Sequence, residues 1–550
     1  MEPVVFSQNA PAKRCRPGLS SWLCLWLMIP IICFGLYFAI VQTYSRSEVS
    51  SPPSAWLADG GDGSGAEITE PQSHAEPGDN LHDDDPSILH PQRHIFRQPR
   101  TIHLNWNVTK GTRRPDGVLK DIYLINGQFP GPTIEARSGD RIEVIITNSI
   151  ANDTHDGLAV HWHGMLMKEA NEMDGVVGVT QCSIRPTDSF TYKFQIPQEQ
   201  HGTFWYHAHS AVKRADGLYG GLIVHKPADQ DQINGDLSLY EYDSEKLLLI
   251  GDWYHASADA VIAEYKDFRS FAYEPAPDSL LINEDRTTKI TDATIAIILD
   301  PELMPVWNPA LTSKQLFPLI WTDPSDAAFR RKQKTAVVEI YDLDNAEAPR
   351  IPDSSMLRTD PVEVALLYTS LAINSFKNDE PWGELNHTSW VWKDPTAKPL
   401  LAMDNATWAN GTVQANPMRD FRVPWFETGD ERWLELVVNN VDDKGHPFHL
   451  HGYEFYVVDS RQPATRGKTH NPFDDAHDAN KQRNLDTPLK RDTVYIKPQG
   501  HVVLRFPLHN PGLWLMHCHV LWHQAVGMGM VLQVGNVTLE TARKAKQSCQ

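Results

Sequence analysis

Near the end of the chain, His517-Cys518-His519-Val520-Leu521-Trp522-His523-Gln524-Ala525-Val526-Gly527-Met528 gathers a thiol, three imidazoles and a thioether. Cys518, His523 five residues on and Met528 ten residues on offer a soft sulfur, an imidazole and a weak axial ligand. With one further histidine, that trigonal donor set favours copper and rapid electron transfer. Side chains alternate between the faces of a strand. His517 and His519 therefore point away from Cys518, toward a different group.

Three more clusters supply that group: His161-x-His163, His207-x-His209 and His446-x-x-His449-x-His451. An H-x-H pair on a strand places two imidazoles on one face, about 7 Å apart at 3.3–3.4 Å per residue. The pairs together bring His161, His163, His207, His209, His449, His451, His517 and His519. That exceeds what one zinc ion needs, about four ligands, and suits a three-metal cluster with positions open to oxygen. His446, Cys518, His523 and Met528 are left to complete the thiolate site.

The elements around these residues read as strands. From Thr101 onward, short alternating runs such as Arg141-Ile142-Glu143-Val144-Ile145-Ile146 are punctuated by Gly, Pro, Asn or Asp. That pattern predicts β-sandwiches. The chain also repeats itself. Residues 141–164 (RIEVIITN…HWHG) match 432–452 (RWLELVVNN…HPFHLHG), and 202–209 (GTFWYHAH) match 512–519 (GLWLMHCH). His161, His163, His207 and His209 align with His449, His451, His517 and His519. Ala208 stands where Cys518 stands, and Leu158 where His446 stands. The first copy keeps the outward histidines and lacks the thiolate site.

A chain of 550 residues is too long for one core. The expected fold is all-β: three consecutive cupredoxin-like Greek-key sandwiches over 99–230, 231–395 and 396–540, with a tail over 541–550. The middle domain has no paired-histidine motif and serves as spacer and pocket wall. A net charge of −20 argues against nucleic-acid binding and favours neutral or cationic substrates. Residues 1–20 are read as cytosolic and 21–44 as a single transmembrane helix, because no charge falls between Pro17 and Ser45. Lys13, Arg14 and Arg16 precede the span, which puts the catalytic domains in a lumen or outside the cell. Asn107, Asn152, Asn386, Asn405, Asn410 and Asn536 begin glycosylation sequons, in accord with that compartment. Residues 45–98 read as a disordered polar stalk; His74, His82, His90 and His94 within it are loose metal binders or plain linker. Beyond the N-terminal run, Cys182 and Cys549 are the cysteines left beside Cys518. They are either a disulfide or two unrelated thiols.

On these motifs the sequence resembles the three-domain multicopper oxidases of the laccase and ascorbate oxidase type, and fungal laccase-like enzymes in particular. The match covers about residues 100–540. The resemblance implies a type 1 copper on His446, Cys518 and His523 with Met528 axial, and a type 2 copper on His161 and His449. It implies a type 3 pair on His163, His207 and His209 together with His451, His517 and His519. It also implies a Cys182–Cys549 disulfide, and a proton-relaying role for Asp174, whose alternative is an ordinary turn before Gly175. The implied reaction is one-electron oxidation of a reducing substrate coupled to four-electron reduction of O2 to water.

For the substrate, phenols are the expectation, in pigment or secondary-metabolite biosynthesis. An axial Met suits easily oxidised donors. Iron(II) oxidation is the alternative. It needs carboxylates beside the type 1 site, and Ala215 stands where the ferroxidases carry one of them, after Lys213 and Arg214. Leu521 likewise replaces a ferroxidase glutamate, while Asp442 matches the second iron carboxylate. A non-catalytic copper-binding protein is the weaker alternative, since none of the ten histidines is missing.

Overall fold

The structure is a computed structural model. It describes residues 87–150, 157–228, 245–270, 273–283, 293–298, 314–319, 357, 363–374, 379–390, 398–403, 423–429, 431–461, 469–473 and 483–549. Among them no helix is long and apolar enough to cross a membrane; the span expected over 21–44 lies outside the described residues, as do Asn152, Asn405 and Asn410.

The first sandwich has eight strands: β1 Thr101–Arg113, β2 Lys120–Ile125, β3 Gly131–Arg137, β4 Arg141–Asn148, β5 Val160–His163, β6 Ser189–Gln195, β7 Gly202–Ala208 and β8 Tyr219–His225. They form two sheets, ordered β2-β1-β4-β6 and β3-β8-β7-β5. Alternation decides which residues go inside. In β4, Ile142, Val144 and Ile146 are buried against Tyr192 and Phe194 of β6 and Trp162 of β5.

The last sandwich repeats this plan with β9 Glu363–Asn374, β10 Glu380–Leu385, β11 Trp425–Phe426, β12 Trp433–Asn440, β13 His446–Leu450, β14 Phe455–Arg461, β15 Leu489–Arg491, β16 Thr493–Ile496, β17 His501–Pro507, β18 Gly512–Cys518 and β19 Gly529–Val534. Its sheets run β10-β9-β12-β17-β14-β15 and β11-β19-β18-β13-β16. β1 is parallel to β4 as β9 is to β12, and β3 is parallel to β8 as β11 is to β19. β12 is buried along its whole length. Val437 packs on Val458 and Val503 while Leu436 and Val438 join the main core, so this strand is apolar on both faces.

Two expected boundaries move. The last sandwich starts at Glu363, not 396, because β9 and β10 complete its first sheet. The stalk expected over 45–98 ends earlier. Ile88–Leu89 pairs with Glu245–Lys246, and the one-turn helix Gln92–Ile95 buries His94 and Ile95. Leu89 packs on Ile223 and Leu247, which is the apolar contact that draws this segment onto the fold. Between the sandwiches, the described residues hold the strand pairs Ile250–Trp253 with Ser279–Ile282 and Ala293–Ile298 with Lys314–Leu319, and the helix Ala258–Lys266 capped by Ser257. The tail is helical over Leu539–Gln547, and the Cys549 sulfur lies 2.09 Å from that of Cys182.

The β1–β2 and β9–β10 hairpins share a device. Asn126 and Asn386 adopt left-handed backbone angles, φ 51° and 47°. Asn126 Oδ1 accepts from Asn107 N at 2.7 Å and its Nδ2 donates to Asn105 O at 2.9 Å. Asn386 does the same with Tyr368 N and Leu366 O. Asparagine tolerates this conformation and uses its amide to tie the turn to the neighbouring strand. Asn126→Ala should therefore destabilise the first sandwich by about 2 kcal/mol. A lowered thermal midpoint checks this, with Asn126→Gly recovering part of the loss; an unchanged midpoint would contradict it.

Candidate metal centre

Strand register brings the paired histidines together. In β5 and β7, His161 lies directly opposite His207, and Val160 opposite Ala208. In β13 and β18, His449 lies opposite His517, and Phe448 opposite Cys518. The inward face of each pair enters its own sandwich core; the other face presents imidazoles to the opposite sandwich. Four donor groups result: His161 and His163 with His449; His163 with His207 and His519; His209 with His451 and His517; and His446 with Cys518 and His523. All of these side chains are buried or nearly so.

The outer nitrogens fix how the rings face. His161 Nδ1 donates to Asp174 O at 2.7 Å and His449 Nδ1 to Asp492 O at 2.9 Å. Their Nε2 atoms are then both lone-pair nitrogens, and they face each other at 3.3 Å. His451 Nδ1 donates to Asp174 Oδ2 at 2.9 Å and His517 Nδ1 to Cys518 O at 3.0 Å. Their Nε2 atoms meet at 3.1 Å. His446 Nε2 donates to Asp442 Oδ2 at 2.9 Å and His523 Nε2 to Glu274 Oε1 at 2.8 Å. Their Nδ1 atoms meet at 3.1 Å, with Cys518 Sγ 3.7 and 3.5 Å away. Two lone pairs at these distances repel unless a cation lies between them. Carboxylate and carbonyl partners on the outer nitrogens are what metal-bound histidines use to fix ring and tautomer.

The buried environment agrees. Burial holds His163 down at about 3. Burial keeps His207, His209, His451, His517 and His519 well below the ordinary range, so these rings are neutral ligands at physiological pH. His163 Nδ1 and His207 Nε2 are buried without a hydrogen-bond partner. Leaving such atoms unmet costs about 1–3 kcal/mol each. Burial also raises the Cys518 thiol, and a bound metal ion is what would hold it as the thiolate. The donor chemistry fits copper at the thiolate group and a multi-metal cluster at the imidazoles.

Asp174 is placed by Gly175. That glycine has φ +84°, and a Cβ there would lie 1.9 Å from Val160 O. The close approach brings the buried carboxylate between the two sandwiches, onto both His161 and His451. Gly383 of β10 similarly lies against Met528, where a Cβ would come within 2.6 Å of the Met528 Cβ. Met528 is buried, and its carbonyl accepts from Cys518 N at 2.9 Å. Asn107, Asn386 and Asn536 are exposed.

Three neighbours were not picked out as site residues from the sequence. Asp492 Oδ1 stands 3.1 Å from His163 Nε2. Arg214 lays its guanidinium on His519, Nη1 at 3.0 Å from both ring nitrogens, and donates to His519 O. Glu274 comes from the middle of the chain and is shared with Lys444 Nζ at 3.1 Å. The hydrogen bond from His523, reinforced by Lys444, outweighs burial and holds the Glu274 carboxyl at about 2. Glu274 also lines a cavity of about 700 Å³ with Trp205, Tyr254, Leu521 and Trp522. No local motif marks any of the three.

Comparison with known proteins places this geometry. The multicopper oxidase family matches at residues 107–229 and again at 391–537. An iron transport multicopper oxidase of Gibberella zeae is 31% identical over 492 residues, covering 75% of this chain and 73% of that protein. Laccase-1 of Cryptococcus neoformans var. grubii is 28% identical, covering 80% and 82%. In fold, the chain is similar to the Fet3p multicopper oxidase (TM-score 0.64, 23% identity, 82% of this chain and 95% of that one). It is similar to the Botrytis aclada laccase to nearly the same degree (TM-score 0.62, 21% identity, 83% and 92%). The chain therefore belongs to the multicopper oxidases, copper-dependent oxidoreductases that use O2.

Proposed function

We propose that the protein is a laccase-like enzyme that oxidises phenols one electron at a time and passes the electrons to O2. His446, Cys518 and His523 would hold a type 1 copper with Met528 axial. His161 and His449 would hold a type 2 copper. The type 3 pair would divide as His163, His207 and His519 against His209, His451 and His517, the grouping in which their nitrogens lie. Copper bound at these residues would accept single electrons at Cys518 and reduce dioxygen to water at the imidazole cluster.

One observation carries the phenol reading: the aromatic-walled cavity ends on a carboxylate hydrogen-bonded to the candidate electron-entry histidine. A phenol that loses an electron must also lose its hydroxyl proton. Glu274 is the group positioned to take it, while His523 offers the edge through which the electron leaves. The walls bury an aromatic ring, which a small hydrated cation does not need. Lys444 on Glu274 opposes a second cation there. On the oxygen side, Asp174 touches His161 and His451 and is the candidate proton relay.

A second reading, iron(II) oxidation, has its own support. Asp442 and Glu274 flank both histidines of the thiolate site, so Glu274 supplies from the middle of the chain the second carboxylate that Ala215 lacks. Relatives named iron transport oxidases match about as well as laccases do. For location, the proposal retains a single N-terminal span over 21–44 with lumenal or extracellular catalytic domains and glycosylation, supported by the charge-free N-terminal run and the sequons.

Glu274→Gln should lower kcat/KM for 2,6-dimethoxyphenol by about 10²-fold. Ferrocyanide, which has no proton to give, should be oxidised within a few-fold of the wild-type rate. Equal losses on both donors, or ferrous iron turned over far faster than any phenol, would defeat the laccase reading. Anaerobic phenol should bleach an absorption band at about 600 nm, and air should restore it. Cys518→Ser should remove the band; a variant that stays blue would refute the assignment of the thiolate site.

A further inference from the structure

Outside the ten histidines above, three more imidazoles converge on one carboxylate. His90 Nδ1 lies 3.0 Å from Glu135 Oε1, His225 Nε2 2.9 Å from Glu135 Oε2, and His94 Nε2 3.9 Å from the same oxygen. They come from three separate places: His90 and His94 on the segment before the first sandwich, Glu135 on β3, and His225 at the end of the adjoining β8. We propose that His90, His94, Glu135 and His225 form a structural zinc site that fastens this segment to the first sandwich.

Several observations carry it. His94, Glu135 and His225 have ligand atoms within 4.8 Å of one another. His94 and His225 are buried, and their rings stack at 5.0 Å and 26°, turning both toward Glu135. His90 and His94 are four residues apart around a helical turn, a spacing that zinc sites use. The 3.9 Å separation is too long for a hydrogen bond. Two donors on one tetrahedral ion, each bonded at 2.0–2.2 Å, stand about 3.4 Å apart. The separations of 2.9 and 3.9 Å bracket that value.

The donor set selects the ion. Three imidazoles and one carboxylate, with no sulfur, suit zinc in a closed tetrahedral site. Loading requires His94 to carry its proton on Nδ1, where Arg97 Nη2 now lies at 3.1 Å. Arg97 already holds both oxygens of Asp140, so its charge stays paired when it leaves the ring. The linkage would reinforce the hold of this polar, histidine-bearing segment on the sandwich: Leu89 and Ile95 are its buried apolar anchors, and the ion adds binding free energy to the folded state.

The test is metal analysis of the full-length protein after dialysis against micromolar zinc. About one zinc per chain is expected in addition to copper, with a zinc-edge absorption shell of nitrogen and oxygen at about 2.0–2.2 Å and no sulfur. Glu135→Gln and His90→Ala should each lose that zinc while keeping their copper, and their thermal midpoint should no longer respond to added zinc. Wild-type protein with no zinc, a fifth copper in its place, or a sulfur-containing zinc shell that points to Cys518 would each overturn the proposal.

Discussion

The structure turns on pairs of buried imidazole nitrogens that face each other at close range. His161 meets His449, His451 meets His517, and His446 meets His523, at 3.1–3.3 Å. In each pair the outer nitrogens donate to oxygen acceptors, which turns the inner nitrogens toward each other as the ligand atoms. A buried, apolar setting makes that arrangement costly unless a cation is bound. Two of the three pairs also bridge or adjoin the seam between sandwiches. Neither sandwich completes the imidazole cluster alone, so the site is complete only where the two sandwiches meet.

Strand geometry makes such a centre economical. Period-two alternation sends Cys518 into its own sandwich and His517 and His519 toward the other. The sulfur and two imidazoles that belong to separate donor groups, His517 and His519, are therefore joined through the backbone of one tripeptide. In the first sandwich Ala208 takes the cysteine's place opposite Val160, and Leu158 replaces His446. The same fold thus carries outward imidazoles in both sandwiches and the thiol group of His446, Cys518 and His523 only in the last. Asp174 locks the two copies together by reaching His161 in one and His451 in the other.

What could be read from the sequence follows from how local each signal is. The H-x-H motifs, the flanked cysteine and the repeat are visible because register fixes their neighbours within a few residues. The start of the last sandwich was not visible: β9 and β10 match β1 and β2 mainly through Asn386 and Asn126, one turn residue each. Glu274, Asp492 and Arg214 escaped because each reaches its histidine across a large sequence gap with no spacing rule. Polar composition made residues 87–98 look like stalk, although Leu89 and Ile95 are enough to seat them on the sandwich.

The central claim is that the eight paired imidazoles form a single multi-copper cluster fed by the Cys518 site. Copper-edge anomalous diffraction from crystals of the holoprotein tests it most directly. One peak beside Cys518 Sγ and three peaks enclosed by His161, His163, His207, His209, His449, His451, His517 and His519 are predicted. A peak at Cys518 alone, or a single ion among the eight imidazoles in fully loaded protein, would contradict it.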